Sequence, residues 1–142
     1  MKKDSELCNC SALRQATRLV TKLYDTALAP TALGANQYGI LSRLHRNGPS
    51  TLGDLAGSLV MDRSTLGHLV RPLEQRGLVR LAVGEEDRRA RYLTLTRSGE
   101  SLLQKARPLW SSAQKKFESA FGADAAARLR AMLNDVVASD FA

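Results

Sequence analysis

Apolar residues recur along this chain with two different periods, and the change from one to the other divides it into elements. Leu13, Ala16, Val20, Leu23 and Ala27 stand three or four apart, which predicts a first helix over residues 10–29 ending at Pro30. Tyr38, Leu41 and Leu44 keep that spacing in a second helix, with Asn36 as its expected N-cap and Asn47-Gly48-Pro49 as its stop. Thr51 and Asp54 resemble a short capping box that opens a brief third helix through Leu59. Asp62 is the expected cap of a fourth helix, which gathers Leu66, Leu69, Val70 and Leu73 on one side and stops at Gly77. Pro72 falls about one turn from its end, where the ring predicts a local bend. Beyond Gly77 the pattern becomes that of strands: Leu78 to Val83 is rich in strand formers, and Arg91-Tyr92-Leu93-Thr94-Leu95 alternates polar and apolar. The charged stretch from Gly84 to Arg89 reads as the turn between them. From Thr96 the helical period returns in Leu103, Ala106, Trp110, Ala113, Phe117 and Ala120. Gly122 interrupts it, and a final helix carries Leu129, Met132, Leu133, Val136 and Val137.

The order of these elements predicts a mainly α chain with a small β-hairpin, an α+β class. The third and fourth helices are joined by only a few residues around Val60-Met61, which is the helix-turn-helix pattern, and the hairpin that follows is its wing. Residues 36–97 form the winged helix-turn-helix module in this reading. The flanking segments 10–35 and 98–142 carry more apolar face than so small a module covers. They are read as dimerisation helices that pair two copies isologously, with 1–142 as one subunit.

Composition narrows the partner. The chain has 142 residues, a formal net charge of +7 and a pI near 9.9. It has no apolar run near the ~18 residues of a membrane span, and no apolar signal core follows Lys2 and Lys3. The expectation is a cytoplasmic protein, without a membrane partner, that binds a polyanion. Between Met61 and Arg97 lie eight arginines, five acids and no lysine. The planar guanidinium suits bidentate contacts to phosphate and guanine. Opposite the apolar side of the fourth helix stand Ser64, His68, Arg71 and Gln75, with Arg63 and Thr65 at its N-terminal margins. An α-helix fits the major groove of duplex DNA, and its N-terminal residues meet base edges. Ser64, Thr65 and His68 are therefore the expected base contacts, and Arg71 reaches a guanine or a phosphate. Arg88, Arg89 and Arg91 make the wing tip positive, while Asp87 is expected to orient a neighbouring guanidinium. The bland alternative is a solvated helix face and a solvated charge run; the tight turn before the helix and the wing after it favour double-stranded DNA.

No nucleophile motif, phosphate loop or metal constellation supports catalysis, so the chain is read as a non-enzyme without cofactor. Cys8 and Cys10, one residue apart, are too few for a zinc framework, with His45 and His68 far off in sequence. They suggest redox chemistry instead, and a thiol peroxidase is the competing reading from another class. An architectural protein without sequence preference is a further one.

The stretches Leu73-Glu74-Gln75-Arg76-Gly77-Leu78-Val79 and Asp87-Arg88-Arg89-Ala90-Arg91-Tyr92-Leu93-Thr94-Leu95-Thr96-Arg97-Ser98-Gly99, in this order of elements, resemble the MarR (multiple antibiotic resistance regulator) family. The stretch from Asp87 to Gly99 is similar to the family's wing motif, Asp-Arg-Arg, a strand, then Leu-Thr-x-x-Gly. The resemblance implies a homodimer on a pseudo-palindromic operator, usually a repressor released by a small molecule or an oxidant. Cys10 followed by Thr21-Lys22-Leu23-Tyr24 is similar to the organic-hydroperoxide-sensing branch, in which Tyr24 would be one of the tyrosines that hydrogen-bond the cysteine. The branch's other two tyrosine positions fall on Arg14 and Ala35. With Asn9 as cap, Cys10 would sit in the first turn of its helix, where partial positive charge and Arg14 favour a thiolate open to oxidation; Cys8, or the partner subunit's cysteine, would resolve it. The alternative effector is a phenolic or lipophilic carboxylate bound near Tyr24, Tyr38 and His45, between the DNA module and the dimerisation helices. Trp110 and Phe117 are read as core or interface.

Overall fold

A computed structural model describes residues 7–142; the segment with Lys2 and Lys3 lies outside the described residues. Helix α1 (Asn9–Leu28) is capped by Cys8 rather than Asn9: the Cys8 Sγ accepts the Ser11 backbone N–H at 3.4 Å. It runs into a 3-10 turn, Ala29–Thr31, after which Ala32 turns the chain with φ of 55°. Helix α2 (Ala35–Asn47) starts at Gly34, not at the expected Asn36. The reason is tertiary. Asp25 Oδ1 from α1 accepts the Ala35 N–H at 2.7 Å, and Gln37 Oε1 accepts the Gly34 N–H at 3.1 Å. These orphan donors of the first turn are satisfied from across the corner and by Gln37, which leaves Asn36 free of the task.

The next caps are those expected. Thr51 Oγ1 accepts the Asp54 N–H at 3.1 Å and opens α3 (Leu52–Ser58). Asp62 Oδ1 accepts the Thr65 N–H at 2.7 Å and opens α4 (Arg63–Gln75), which continues through Pro72. The hairpin strands are β2 (Val79–Val83) and β3 (Arg91–Leu95), paired antiparallel from Val79 opposite Leu95 to Val83 opposite Arg91. A two-residue strand, β1 (Ser50–Thr51), adds to the other edge of β3, in the order β1-β3-β2. Two residues are too short to show a period, and β1 was not expected.

Thr96 caps α5 (Arg97–Phe121) by accepting the Gly99 N–H at 3.0 Å, and its hydroxyl donates to the Gly77 carbonyl at 2.6 Å. A Cβ at Gly99 would lie 2.1 Å from the Leu78 carbonyl oxygen and 2.7 Å from Leu95 Cδ1, so only glycine lets α5 start against the sheet. Gly122 separates α5 from α6 (Ala123–Ala138).

One apolar core joins these elements, with Leu28, Ile40, Leu41, Leu66, Leu73, Leu93 and Leu103 fully buried. Burial of each such side chain contributes about 1.5–3 kcal/mol, which makes this the part of the chain that holds α4 and the hairpin in place. The arm formed by α1, the distal half of α5 and α6 is different. These helices pack along one another, yet Leu19 remains 73%, Met132 59% and Val137 66% exposed.

Candidate nucleic-acid interface

The turn between α3 and α4 spans residues 59–62, closed by the Met61 N–H on the Ala56 carbonyl at 2.9 Å. The Asp62 cap then fixes the first turn of α4. The Thr65 backbone N–H holds the Asp62 carboxyl below its usual range, with smaller contributions from the Thr65 side chain, the Ser64 backbone and the charge of His68. Leu66, Val70 and Leu73 face the core, and Leu69 is half-buried against it. Arg63, Ser64, Thr65, His68, Arg71 and Gln75 are all exposed, as the helical period requires. The guanidinium of Arg63 folds back over the start of α3: a Cβ on Gly53 would meet its Nη2 at 2.8 Å.

The wing presents Arg88, Arg89 and Arg91, all exposed. Its tip is closed by local bonds, Gly84 N–H to the Ala90 carbonyl at 3.0 Å and Ala90 N–H to the Asp87 carbonyl at 3.1 Å. Asp87 does not orient a guanidinium. Its carboxylate accepts the Arg89 backbone N–H at 3.0 Å, and the ion pairs among the described residues, His45 with Glu100 and Arg130 with Glu118, lie elsewhere. A bond to an amide two residues on orders almost nothing that the turn has not already ordered, whereas an exposed ion pair must immobilise a long side chain.

A cleft of about 590 Å³ opens between the module and the arm, bordered by Tyr24 and Leu28 of α1, Tyr38, Arg43 and Arg46 of α2, and Arg107 and Trp110 of α5. Three arginines and no acid line it. Tyr38 stacks on Trp110 with ring centroids 6.0 Å apart and planes 12° from parallel. Burial pushes the Tyr38 hydroxyl pKa up, against the pull of Arg107 and Arg46. Tyr24 and Tyr38 thus come together as expected, but His45 does not join them: its Nδ1 lies 2.8 Å from a Glu100 carboxylate oxygen, a contact that ties α2 to α5. Trp110, read from sequence as core or interface, packs half-buried against the apolar core and also forms part of the cleft wall. The arginines of α2 and α5 were missed because each belongs to an ordinary solvated helix face until the two helices are brought together.

Residues 33–90 match the MarR family profile. Over 106 residues the chain is 31% identical to the organic hydroperoxide resistance transcriptional regulator of Bacillus subtilis, covering 75% of this chain and 71% of that one. The chain belongs to the MarR family. Among solved structures, the M. tuberculosis regulator MosR in complex with DNA superposes with a TM-score of 0.79 at 32% identity, over 92% of this chain and 96% of that one. The repressor CouR, solved on a 23-mer DNA duplex, gives 0.84 at 26% identity over 96% and 99%. Two other curated relatives are longer, and the chain spans 46% and 61% of their lengths.

The wing motif of this MarR chain now has a physical reading. Asp87 caps the tip, Thr96 caps α5, and Gly99 admits the Leu78 carbonyl just before β2. Of the two N-terminal cysteines, Cys10 sits in the first turn of its helix as expected, whereas Cys8 takes the cap position expected of Asn9. Cys8 is the cap and Cys10 the second residue of α1; both are exposed free thiols. Tyr24 is fourteen residues beyond Cys10 on the same helix, about 21 Å along its axis, so no contact between them arises within one chain. The Tyr24 hydroxyl instead donates to Gln114 Oε1 on α5, and burial, then the charge of Glu118, raises its pKa.

Proposed function

We propose that this chain is a homodimeric transcription repressor that reads a pseudo-palindromic operator in the cytoplasm. Helix α4 lies in the major groove with Ser64, Thr65 and His68 at base edges. Arg63, Arg71, Gln75 and the wing arginines Arg88, Arg89 and Arg91 hold guanine, phosphate or the adjacent minor groove. The observation that carries this reading is the capped α4, whose exposed polar face stands beside an arginine-tipped wing in a chain of net charge +7. Residues 10–35 and 98–142 serve as the dimerisation arm, and 36–97 as the reading module.

The cleft favours a small aromatic carboxylate as effector. Arg43, Arg46 and Arg107 supply positive charge, and the stacked Tyr38 and Trp110 supply an aromatic wall. One solved regulator supports this class of ligand: DNA binding by Bordetella bronchiseptica BpsR is regulated by 6-hydroxynicotinic acid. CouR of Rhodococcus jostii was solved with p-coumaroyl-CoA, an aromatic thioester whose negative charge lies on the CoA phosphates rather than on a carboxylate. A ligand wedged there acts by changing the separation of the two recognition helices, which must match half-sites about 34–36 Å apart. The other reading is release by oxidation, favoured by the exposed Cys10 in the first turn of α1 and by the hydroperoxide-regulator relative. An organic hydroperoxide would convert the Cys10 thiolate to a sulfenic acid and leave as its alcohol. Condensation with Cys8 or a partner cysteine then gives a disulfide and water.

The test titrates the reduced protein onto duplex DNA from upstream of its own coding sequence, then repeats it with a hydroxylated aromatic carboxylate. A further repeat uses stoichiometric hydroperoxide followed by dithiothreitol. Loss of binding with the carboxylate that persists in a Cys8→Ser, Cys10→Ser variant supports the cleft. Loss only on oxidation, restored by reduction, supports the thiols. Equal affinity for operator and random duplex would sink the repressor reading altogether.

A further inference from the structure

Arg76 follows the last residue of α4 in an arginine-rich segment, where an arginine would ordinarily be counted among the DNA contacts. Its guanidinium is engaged elsewhere. Nη2 donates to the Thr31 carbonyl at 2.9 Å and Nη1 to the Ala32 carbonyl at 3.1 Å, more than forty residues back in the chain. These are consecutive carbonyls in the corner that joins α1 to α2. The corner is itself closed by short bonds: Thr31 Oγ1 donates to the Leu28 carbonyl at 2.6 Å, the Leu33 N–H donates to Thr31 Oγ1 at 3.3 Å, and Asp25 accepts from Ala35. At the other end of the fork, the Arg76 N–H donates to the Pro72 carbonyl at 3.0 Å, and Gly77, with φ of 69°, turns the chain into β2.

We propose that Arg76 is a positioning residue that fastens the C-terminal end of α4 to the α1–α2 corner, and so fixes the pose of the recognition helix on the arm that pairs two copies. The proposal rests on the DNA-binding reading above. Its physical basis is the difference between the two ways in which α4 is held. Leu66, Val70 and Leu73 hold it by apolar burial, which is non-directional and tolerates a small slide or roll. A planar fork on two adjacent carbonyls does not tolerate that, because both N–H bonds lose alignment together. Leu28 and Ala35, at either end of the corner, also border the effector cleft, so the fork joins the cleft wall to the end of the reading helix.

The experiment measures the affinity of the full chain for its operator duplex and for a random duplex of equal length, over a range of salt, for wild type, Arg76→Lys and Arg76→Ala. Circular dichroism confirms the folded state of each. Lysine keeps the charge, and with it a point-charge contact to a phosphate and the salt slope that such a contact gives, but it presents no planar fork. The expected result is that Arg76→Lys binds the operator about tenfold more weakly, with random-duplex affinity and salt slope unchanged. Arg76→Ala loses as much or more, again without a change in slope. Wild-type operator affinity in Arg76→Lys overturns the proposal, and this variant decides the matter even if Arg76→Ala does not fold. So does an Arg76→Ala variant that weakens both duplexes alike and lowers the salt slope by about one, which is how a lost phosphate contact reads. If wild type itself shows no operator preference, the DNA-binding reading falls and this proposal falls with it.

Discussion

Val60 stands in the turn between α3 and α4 with φ of 53°, and 73% of its surface is exposed. A β-branched residue in the left-handed region costs about 1–2 kcal/mol, and so exposed a side chain gains little burial to offset it. Val60→Gly is therefore expected to stabilise the chain by about 0.5–1 kcal/mol after the added chain entropy of glycine is subtracted. A urea melt should show the midpoint rise with its slope unchanged. A lower midpoint would show that the added chain entropy of glycine outweighs the relief of the left-handed backbone at Val60. The same scale explains which side-chain placements in the candidate site were legible in the sequence. Ser64, His68 and Arg71 were, because helical period alone decides which residues share the solvent face. Asp87 and Arg76 were not. A carboxylate among arginines and an arginine in a basic run both suggest charge pairing, while their real partners are backbone groups that only the folded turn and corner bring within reach.

At the scale of elements, α4 depends on one ionised cap. The Asp62 carboxyl is held below its ordinary range chiefly by the Thr65 N–H. A depressed carboxylate contributes stability that is present above its unfolded pKa and is lost as pH falls through the lower, folded one. Acid should therefore loosen α4 below the usual aspartate range, and Asp62→Asn, which keeps a capping oxygen without the charge, should flatten that limb. Amide exchange at Thr65 and Leu66 followed from neutral pH downward reads it, and an acid limb identical in the variant would assign the effect to other carboxyls. Glu100, depressed first by its bond to His45, loses its contribution in the same direction and belongs to the α2–α5 contact. Helices α3 and α4 and the hairpin were legible because each carries a local cap or an unbroken period. The start of α2 and the strand β1 were not. One is capped from α1 by Asp25, and the other exists only as a partner for β3. Both are tertiary decisions, and no local window contains them.

At the scale of the whole molecule, the arm presents an apolar surface for another chain to cover. Along α6, Met132, Leu133, Val136 and Val137 keep between 37% and 66% of their surface exposed, and a groove of about 340 Å³ lined by Leu13, Val20, Phe117, Leu129 and Leu133 runs beside them. An exposed apolar strip of this kind marks an association surface. If the occupant is a second copy, two recognition helices become one ligand, and binding the second half-site is intramolecular. A Met132→Glu, Val137→Glu double variant places charge on the strip without touching the core of the reading module. It should sediment as a monomer, and its operator affinity should fall by about a hundredfold or more through lost bivalency. Its affinity for a duplex carrying a single half-site should stay that of wild type, which separates loss of pairing from damage to α4. A variant that remains a dimer would place the interface elsewhere on the arm. A monomer that still binds the full operator as tightly as wild type would show that each chain reads its site alone, and the arm would then need another explanation.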